Sequence, residues 1–370
     1  MDSIVREVVS RSTPEPRMPE SPTQPIGLGA EDSELERILA SLRTNIRIVG
    51  IGGGGCNTID RLVESGIVGA ELYAANTDAQ HLLIIRSPHK LLLGRRVTRG
   101  LGAGALPQVG EESAREAADE LRSVVHGADM VFITCGLGGG TGTGGAPVLA
   151  QLAKEAGALT IAICTFPFRA EGAIRAENAE YGLEKLRNFA DTVVVIPNDK
   201  LLELVPRLAL NAAFKVADDV LMRAIKGITE IITKPGLVNL DFNDIKTIMK
   251  GGGVAMIGLG ESDTDNRAEE SIEEAINSPL IDVDISGATG ALVNVTGGND
   301  MSVSEAERVA EIVQSRIAAN ARIIWGAAVD PSLEHKLRVM LILTGVRSKQ
   351  ILGPGEHLRP RGAGTVDIVR

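Results

Sequence analysis

The sequence predicts an α/β protein: a parallel-sheet domain of alternating strands and helices, joined by a long central helix to a smaller α+β domain. Three observations predict it. Short apolar runs at 46–49, 72–75, 130–135, 159–164 and 192–196 alternate with helical stretches such as 111–125, the spacing of a parallel sheet covered on both faces. The long helical pattern at 212–233 carries Phe214, Ala217, Leu221, Ala224, Ile225, Ile228, Ile231 and Ile232 at helical intervals. At 1.5 Å per residue it would span about 30 Å, the length of a strut between two domains. The glycines, 42 of 370 residues, are half concentrated at 50–55, 94–104, 136–145 and 251–260. Clustered glycine marks backbone that approaches something closely or adopts positive φ.

In chain order, residues 1–30 read as a tether. Pro14, Pro16, Pro19, Pro22 and Pro25 punctuate a polar stretch that cannot build a core, after a short apolar stripe at Ile4, Val5, Val8 and Val9. That stripe is too small for stable membrane anchoring and suits a partner groove. Residues 31–210 form the first domain and begin with a helix bearing Leu35, Ile38, Leu39 and Leu42, with Asp32 or Ser33 as its cap. The central helix occupies 211–234. Residues 235–346 form the second domain, with strands at 254–259, 291–296, 323–326 and 339–344 and helices at 268–276 and 304–317. Residues 347–370 lose all periodicity and read as a flexible tail.

Composition narrows the function. The chain is 44% hydrophobic with mean hydropathy +0.11, ample for cores. Aromatic residues make up only 2%, and Trp325, Tyr73 and Tyr181 are the only Trp and Tyr, against base-stacking nucleic-acid platforms. A net charge of −10 makes it a poor general polyanion binder, so any phosphate must be held locally. Cys56, Cys135 and Cys164 are isolated and the five His show no paired spacing, which predicts a reducing compartment and no structural zinc. With no apolar leader and no run of about 18 apolar residues, the chain is expected to be neither secreted nor membrane-spanning.

The first strand runs into GIGGGG at 50–55, which satisfies GxGxxG through Gly50, Gly52 and Gly55. Taken alone this suggests a dinucleotide-binding Rossmann unit, because glycines let backbone amides close on phosphate at a helix N-terminus. A second loop, GLGGGTGTGGAP at 136–147, follows another strand and opens another helix. Two such loops supply more amides than a bridging pyrophosphate needs and suit a triphosphate. There is no GxxxxGK[ST], so phosphate charge falls to amides, the Thr141 and Thr143 hydroxyls, a helix dipole and a cation, which in this acidic chain is Mg²⁺. A side chain at Gly140 or Gly142 is expected to fill the space phosphate needs. Asp241 and Asp244, three apart at a helix start, fit both a pair of catalytic carboxylates and a plain helix cap.

GGGTGTG at 138–144 resembles the signature of the tubulin/FtsZ family. GIGGGGCN (50–57), NTDAQ (76–80), TRGLGAG (98–104), the run from Pro167 through Glu171 and Gly172 to Arg175, and NLDFND (239–244) are similar to the FtsZ set, in the same order. The resemblance covers about residues 31–346, and the helix before the first strand and the short tail are more similar to the archaeal branch. Cys56 stands where Gly or Asn is commoner and Asn243 where Ala is. The tail lacks the long linker and adaptor peptide of bacterial relatives.

This resemblance implies a Rossmann-like GTPase domain binding GTP and GDP. Gly53, Gly54, Gly55, Cys56 and Asn57, with Gly138, Gly139, Gly140, Thr141, Gly142, Thr143 and Gly144, would cradle the phosphates, and Ala103 and Gly104 would close over the terminal one. Asn76 and Asp78 of the NTDAQ segment, Pro167 and Asn198 belong to the same implied site, with Glu171 and Arg175 at the ribose. Phe214 would stack on the base, while Asp218, one turn on, would accept from the guanine N1 and N2 hydrogens. Residues alone would make Phe214 core and Asp218 a solvated charge. Asn239, Asp241 and Asp244 would reach the nucleotide of the next subunit, so that hydrolysis needs a head-to-tail homopolymer, an interface that does not close. Also implied are assembly of the division ring at midcell, in the cytoplasm, and a membrane-linking adaptor bound through a terminal segment, with no direct membrane insertion. Two alternatives stay open: a filament of the same superfamily for cell shape or plasmid partition, and an NAD-dependent oxidoreductase. The second glycine loop and the lack of a His or Tyr/Lys pair placed for hydride chemistry weigh against the latter.

Overall fold

Every residue of Met130–Gly136 but the last is buried, and strands flanking it are nearly as apolar, the pattern of a sheet covered on both faces. The computed structural model describes residues 44–204, 210–233, 237–238, 240–278, 280–281 and 285–346. The expected tether, the apolar stripe, the helix preceding the first strand, Asn239 and the tail lie outside the described residues.

Ten strands form one sheet in the order β3-β2-β1-β4-β5-β6-β7-β10-β8-β9. They are β1 (Ile46–Ile51), β2 (Ala70–Asn76), β3 (His89–Leu92), β4 (Met130–Gly136), β5 (Leu159–Phe166), β6 (Thr192–Pro197), β7 (Gly253–Ser262), β8 (Gly290–Gly297), β9 (Arg322–Val329) and β10 (Leu337–Thr344). Pairing is parallel from β3 through β7; β10 lies antiparallel between β7 and β8, and β9 is parallel to β8. The expected fold class holds: a mixed α/β protein with a mostly parallel sheet. The sheet runs unbroken across the expected domain boundary, because β6 and β7 pair from Thr192↔Gly253 to Val194↔Ala255. β3, a four-residue edge strand, is too short for an apolar run to announce it.

Helices cover both faces. On one side α1 (Gly52–Glu64) and α8 (Leu210–Thr233) bury Ile59, Leu62, Leu221, Ile225 and Ile228 against Ile46 and Ile48 of β1. On the other, α4 (Ala118–Val125) and α5 (Thr141–Glu155) bury Leu121 and Leu149 against Val49 and Ile51. Alternate residues of one strand thus feed two cores. The single helix expected at 111–125 is two, α3 (Pro107–Glu116) and α4, broken at Ala117.

The remaining helices are α2 (Ala79–Ile84), α6 (Ala173–Phe189), α7 (Asn198–Leu204), α9 (Phe242–Met249), α10 (Arg267–Ile276) and α11 (Val303–Arg316). The central helix α8 runs the full depth of the sheet. Phe214 and Asp218 lie at the edge where the parallel strands end. At the other end, Thr233 Oγ1 donates to the Val68 carbonyl just before β2 (3.4 Å), and Lys226 Nζ donates to the Ser65 carbonyl at the end of α1 (3.3 Å).

Helices α3 and α5 cross backbone to backbone. A Cβ on Gly144 would lie 1.9 Å from the Pro107 carbonyl oxygen, and one on Gly110 would lie 2.1 Å from the Gly140 carbonyl oxygen. Gly144→Ala therefore forces the two helices apart. We expect a loss of about 2 kcal/mol or more and a fall in Tm of roughly 2–4 °C. Gly139→Ala, whose Cβ meets nothing within 4 Å, should melt with the wild type. Equal melting of the Gly144 variant would remove this contact from the fold's requirements.

Candidate functional site

β1 ends in Ile51, and Gly52, at φ +74°, turns the chain directly into α1. Ile51 occupies the N-cap position and offers no side-chain bond, so the first-turn amides of α1 have no protein acceptor from a cap. α5 begins the same way after β4, with Gly140 as a cap that has no side chain to offer. The two uncapped N-termini touch: a Cβ on Gly52 would sit 2.8 Å from the Gly142 nitrogen. Between and above them opens a cavity of about 400 Å³ at the carboxyl edge of the sheet. Two helix N-termini aimed at one space form an anion site.

The phosphate-sized end is lined by Gly53, Gly54, Gly104, Gly139, Gly140, Thr141 and Gly142. The Gly140 amide donates to the Gly104 carbonyl (2.8 Å), which ties the second loop to the segment at 98–104. Asn57, one turn into α1, follows along the wall. Next come Pro167, Glu171 and Arg175, where one Glu171 oxygen accepts from Arg175 Nη1 (2.6 Å) and the other from the Phe168 amide (2.9 Å). The far end holds Asn198, Phe214, Ala217 and Asp218. Phe214 is 37% exposed and meets the fully buried Phe168 edge to face, with ring centroids 5.0 Å apart. Asn198 is buried, and its Oδ1 has no hydrogen-bond partner among the described residues.

Several expected residues lie behind this wall. Gly55 packs α1 onto β4, where a Cβ would fall 2.3 Å from the Thr134 carbonyl oxygen. The Cys56 thiol is buried, faces the Gly50 and Ala75 carbonyls, and is pushed up to about 12 by its burial. Asn76 accepts from the Thr77 amide, and Asp78 caps α2 by accepting from the His81 amide (3.0 Å). Asp78 also bridges to Leu101, so the NTDAQ segment is the scaffold for the loop that carries Gly104. Ala103 is buried beside Gly140. Gly138, at φ +101°, is held by the hydrogen bond that its N–H donates to Thr143 Oγ1 (2.9 Å), and Gly144 belongs to the α3 crossing. Gly140 and Gly142 also differ from expectation. Their Cβ atoms would strike backbone, the Gly104 and Gly136 carbonyl oxygens at 2.7 Å each, so a side chain there disrupts the loop before it meets a ligand. At Gly53 and Gly139 a Cβ finds open space, as it does at Gly104, where the positive φ itself disfavours a side chain.

The sequence reading missed Arg61, whose Nε lies 3.6 Å from Asp218 Oδ2, along with Thr165, Leu137 and the supporting Phe168. The available signal for Arg61 was its place one turn beyond Asn57 on α1. Burial pushes the Asp218 carboxyl from 3.8 up to about 6, with Arg61 pulling back only in part.

Asp241 and Asp244 stand apart from the cavity, at the start of α9. Asp241 Oδ1 accepts from the Asp244 amide (2.8 Å) and Asp244 Oδ2 from the Asp241 amide (3.3 Å), a reciprocal capping box on exposed side chains.

A family model described as "Tubulin/FtsZ family, GTPase domain" matches residues 45–206, and "FtsZ family, C-terminal domain" matches residues 253–347. Cell division protein FtsZ 1 of Archaeoglobus fulgidus is 58% identical over 372 residues, covering 100% of both chains. Among solved structures, an empty FtsZ dimer from M. jannaschii superposes with a TM-score of 0.82 at 54% identity, covering 86% of this chain and 93% of that one. A GDP-bound monomer of CetZ1 from Haloferax volcanii gives a TM-score of 0.73 at 25% identity, covering 84% of this chain and 98% of that one.

The raised carboxyl of Asp218 has a measurable consequence without any ligand. Because its value in the fold lies above the unfolded value, the protonated form is favoured in the fold. That contribution is complete below about pH 4 and is lost as pH rises through about 6, and two units correspond to roughly 2–3 kcal/mol. Asp218→Asn should therefore gain about 2 kcal/mol on the wild type between pH 4 and 7, read by urea unfolding of the nucleotide-free proteins. Parallel pH profiles for the two proteins would show that Asp218 is not strained in the empty cavity.

Proposed function

Because the chain belongs to the tubulin/FtsZ family, in its FtsZ branch, we propose that it is a GTP-dependent filament-forming protein of the division ring, hydrolysing GTP between head-to-tail subunits. One observation carries the reading most: a single cavity has two uncapped glycine N-termini at one end and an aromatic ring with a buried carboxylate at the other. The first end suits a chain of phosphates. At the second, Phe214 offers a ring for the base, and Asp218, one turn on, accepts from two adjacent N–H groups, the edge that guanine presents and adenine lacks.

Among the described residues no group of three or more His, Cys, Asp or Glu is placed to hold a metal. Mg²⁺ would therefore rest on the nucleotide's own phosphates and water, with Thr141 as the hydroxyl at hand, and would neutralise phosphate charge there. Arg61 and Arg175 are already committed to Asp218 and Glu171.

The water-orienting group has to come from elsewhere. From Asp218 to Thr233, α8 spans about 22 Å across the sheet, and Asp241 and Asp244 follow beyond its far end. One chain does not bring them to its own cavity, whereas a second copy stacked head to tail does, with Asn239 in the same segment. The M. jannaschii relative is a dimer, which supports self-association. An adaptor bound through a terminal segment, and a cytoplasmic midcell position, complete the proposal; no described helix is long and apolar enough to cross a membrane.

Two measurements test it. The wild type should turn over GTP at least about 100-fold faster than ATP at equal concentration, because adenine offers the buried Asp218 carboxylate no pair of N–H donors to accept from. Equal rates would remove Asp218 from base recognition. For the shared site, Asp241→Asn and Asp244→Asn keep a capping oxygen while deleting charge, so α9 should stay folded. Each should bind GTP as the wild type does yet hydrolyse it about 100-fold more slowly. Gly139→Leu, growing into open cavity, should bind no GTP. Mixing Asp244→Asn with Gly139→Leu should restore turnover that neither shows alone, and wild-type activity should rise with protein concentration above a threshold. Full activity in dilute monomers would falsify the shared site.

A further inference from the structure

His81 lies in α2, half-buried, behind the wall that Asn57 forms. Its ring sits between two side-chain amides, with Nε2 3.0 Å from Asn57 and Nδ1 3.2 Å from Asn76. Each of these three side chains has two chemically opposite ends, and one backbone group fixes them all. The Thr77 amide can only donate, so the Asn76 atom it meets at 2.9 Å is Oδ1. The other end of Asn76 is then the NH₂ group, which must donate to His81 Nδ1. A neutral ring accepting at Nδ1 carries its hydrogen on Nε2, so Nε2 donates and the Asn57 atom facing it is Oδ1. What remains for the cavity is the Asn57 NH₂ group.

We propose that His81 is a positioning residue of the nucleotide site: it turns the Asn57 amide so that hydrogen-bond donors face the ligand. An NH₂ group there suits an atom that only accepts, such as a ribose or phosphate oxygen or a purine ring nitrogen. A carbonyl oxygen in its place would repel the same atom. Released from His81, the Asn57 amide is free to rotate about its terminal torsion, whose two orientations differ little in intrinsic energy. The inference rests on the reading that this cavity takes a guanine nucleotide.

The test is a double-mutant cycle on GDP affinity, measured with a fluorescent GDP analogue and the full chain at neutral pH. His81→Ala should raise the Kd about tenfold, and Asn57→Ala by a similar factor. Because His81 acts through Asn57, the double variant should bind no more weakly than Asn57→Ala alone. His81→Gln, which keeps an N–H donor, should recover most of the affinity lost in His81→Ala, and all the variants should melt with the wild type. Wild-type affinity in His81→Ala, or losses that multiply to about 100-fold in the double variant, would overturn the role of His81. Failure of the wild type itself to bind GDP would instead overturn the guanine-nucleotide reading beneath it.

Discussion

The site depends on one close approach of backbone to backbone. Gly52 and Gly142 pack so tightly that a Cβ on the first would sit 2.8 Å from the nitrogen of the second, a distance no side chain permits. That contact sets the first turns of α1 and α5 on one cavity and points two helix dipoles into it, each worth about half a unit of positive charge. The arrangement matters because the chain as a whole carries −10. Its general field repels a polyanion, so attraction has to be local and built from neutral groups. The two guanidinium groups that line or back the cavity do not change this, since Arg175 is paired with Glu171 and Arg61 with Asp218.

The same requirement for bare backbone spreads outward from the cavity. α5 holds its position partly because Gly110 and Gly144 let α3 cross it at backbone distance, and Gly55 lets α1 settle on β4. Glycines of the signature therefore divide into two populations. Gly53 and Gly139 face open space and leave room for a ligand, whereas Gly55, Gly140, Gly142 and Gly144 make room for the protein itself. Substitution of the second kind removes the cradle by displacing its frame.

This division explains how much could be read beforehand. The strands were legible because parallel strands buried on both faces are continuous apolar runs, and α8 because its buried positions recur at helical spacing over many turns. The cavity's outline was legible because Gly53, Gly54, Asn57, Gly139, Thr141, Glu171 and Arg175 lie in motifs with a resemblance to lean on, whereas Phe214 and Asp218 came from that resemblance alone. What escaped depends on partners distant in sequence. Nothing near Arg61 announces Asp218, nothing near His81 announces Asn57, and a glycine's spacing does not say whether ligand or helix fills the void beside it. The break at Ala117 and the short edge strand β3 escaped because neither interrupts or creates an apolar period.

For Asp241 and Asp244 the structural role and the proposed chemical one need not compete. The capping box uses one lone pair on each carboxylate and leaves the rest of each group exposed to solvent. It also holds both groups in a fixed relation to the backbone of α9, which a flexible loop would not do. Groups so fixed can orient a water molecule once something carries a phosphate to them, since positioning rather than proton affinity is what such a step asks of the protein. Within one chain they follow the end of α8 that lies away from the glycine loops, and both side chains are exposed. On the shared site proposed above, the helix that gives the fold its depth also separates the two halves of the enzyme, and a second copy stacked head to tail is what would join them.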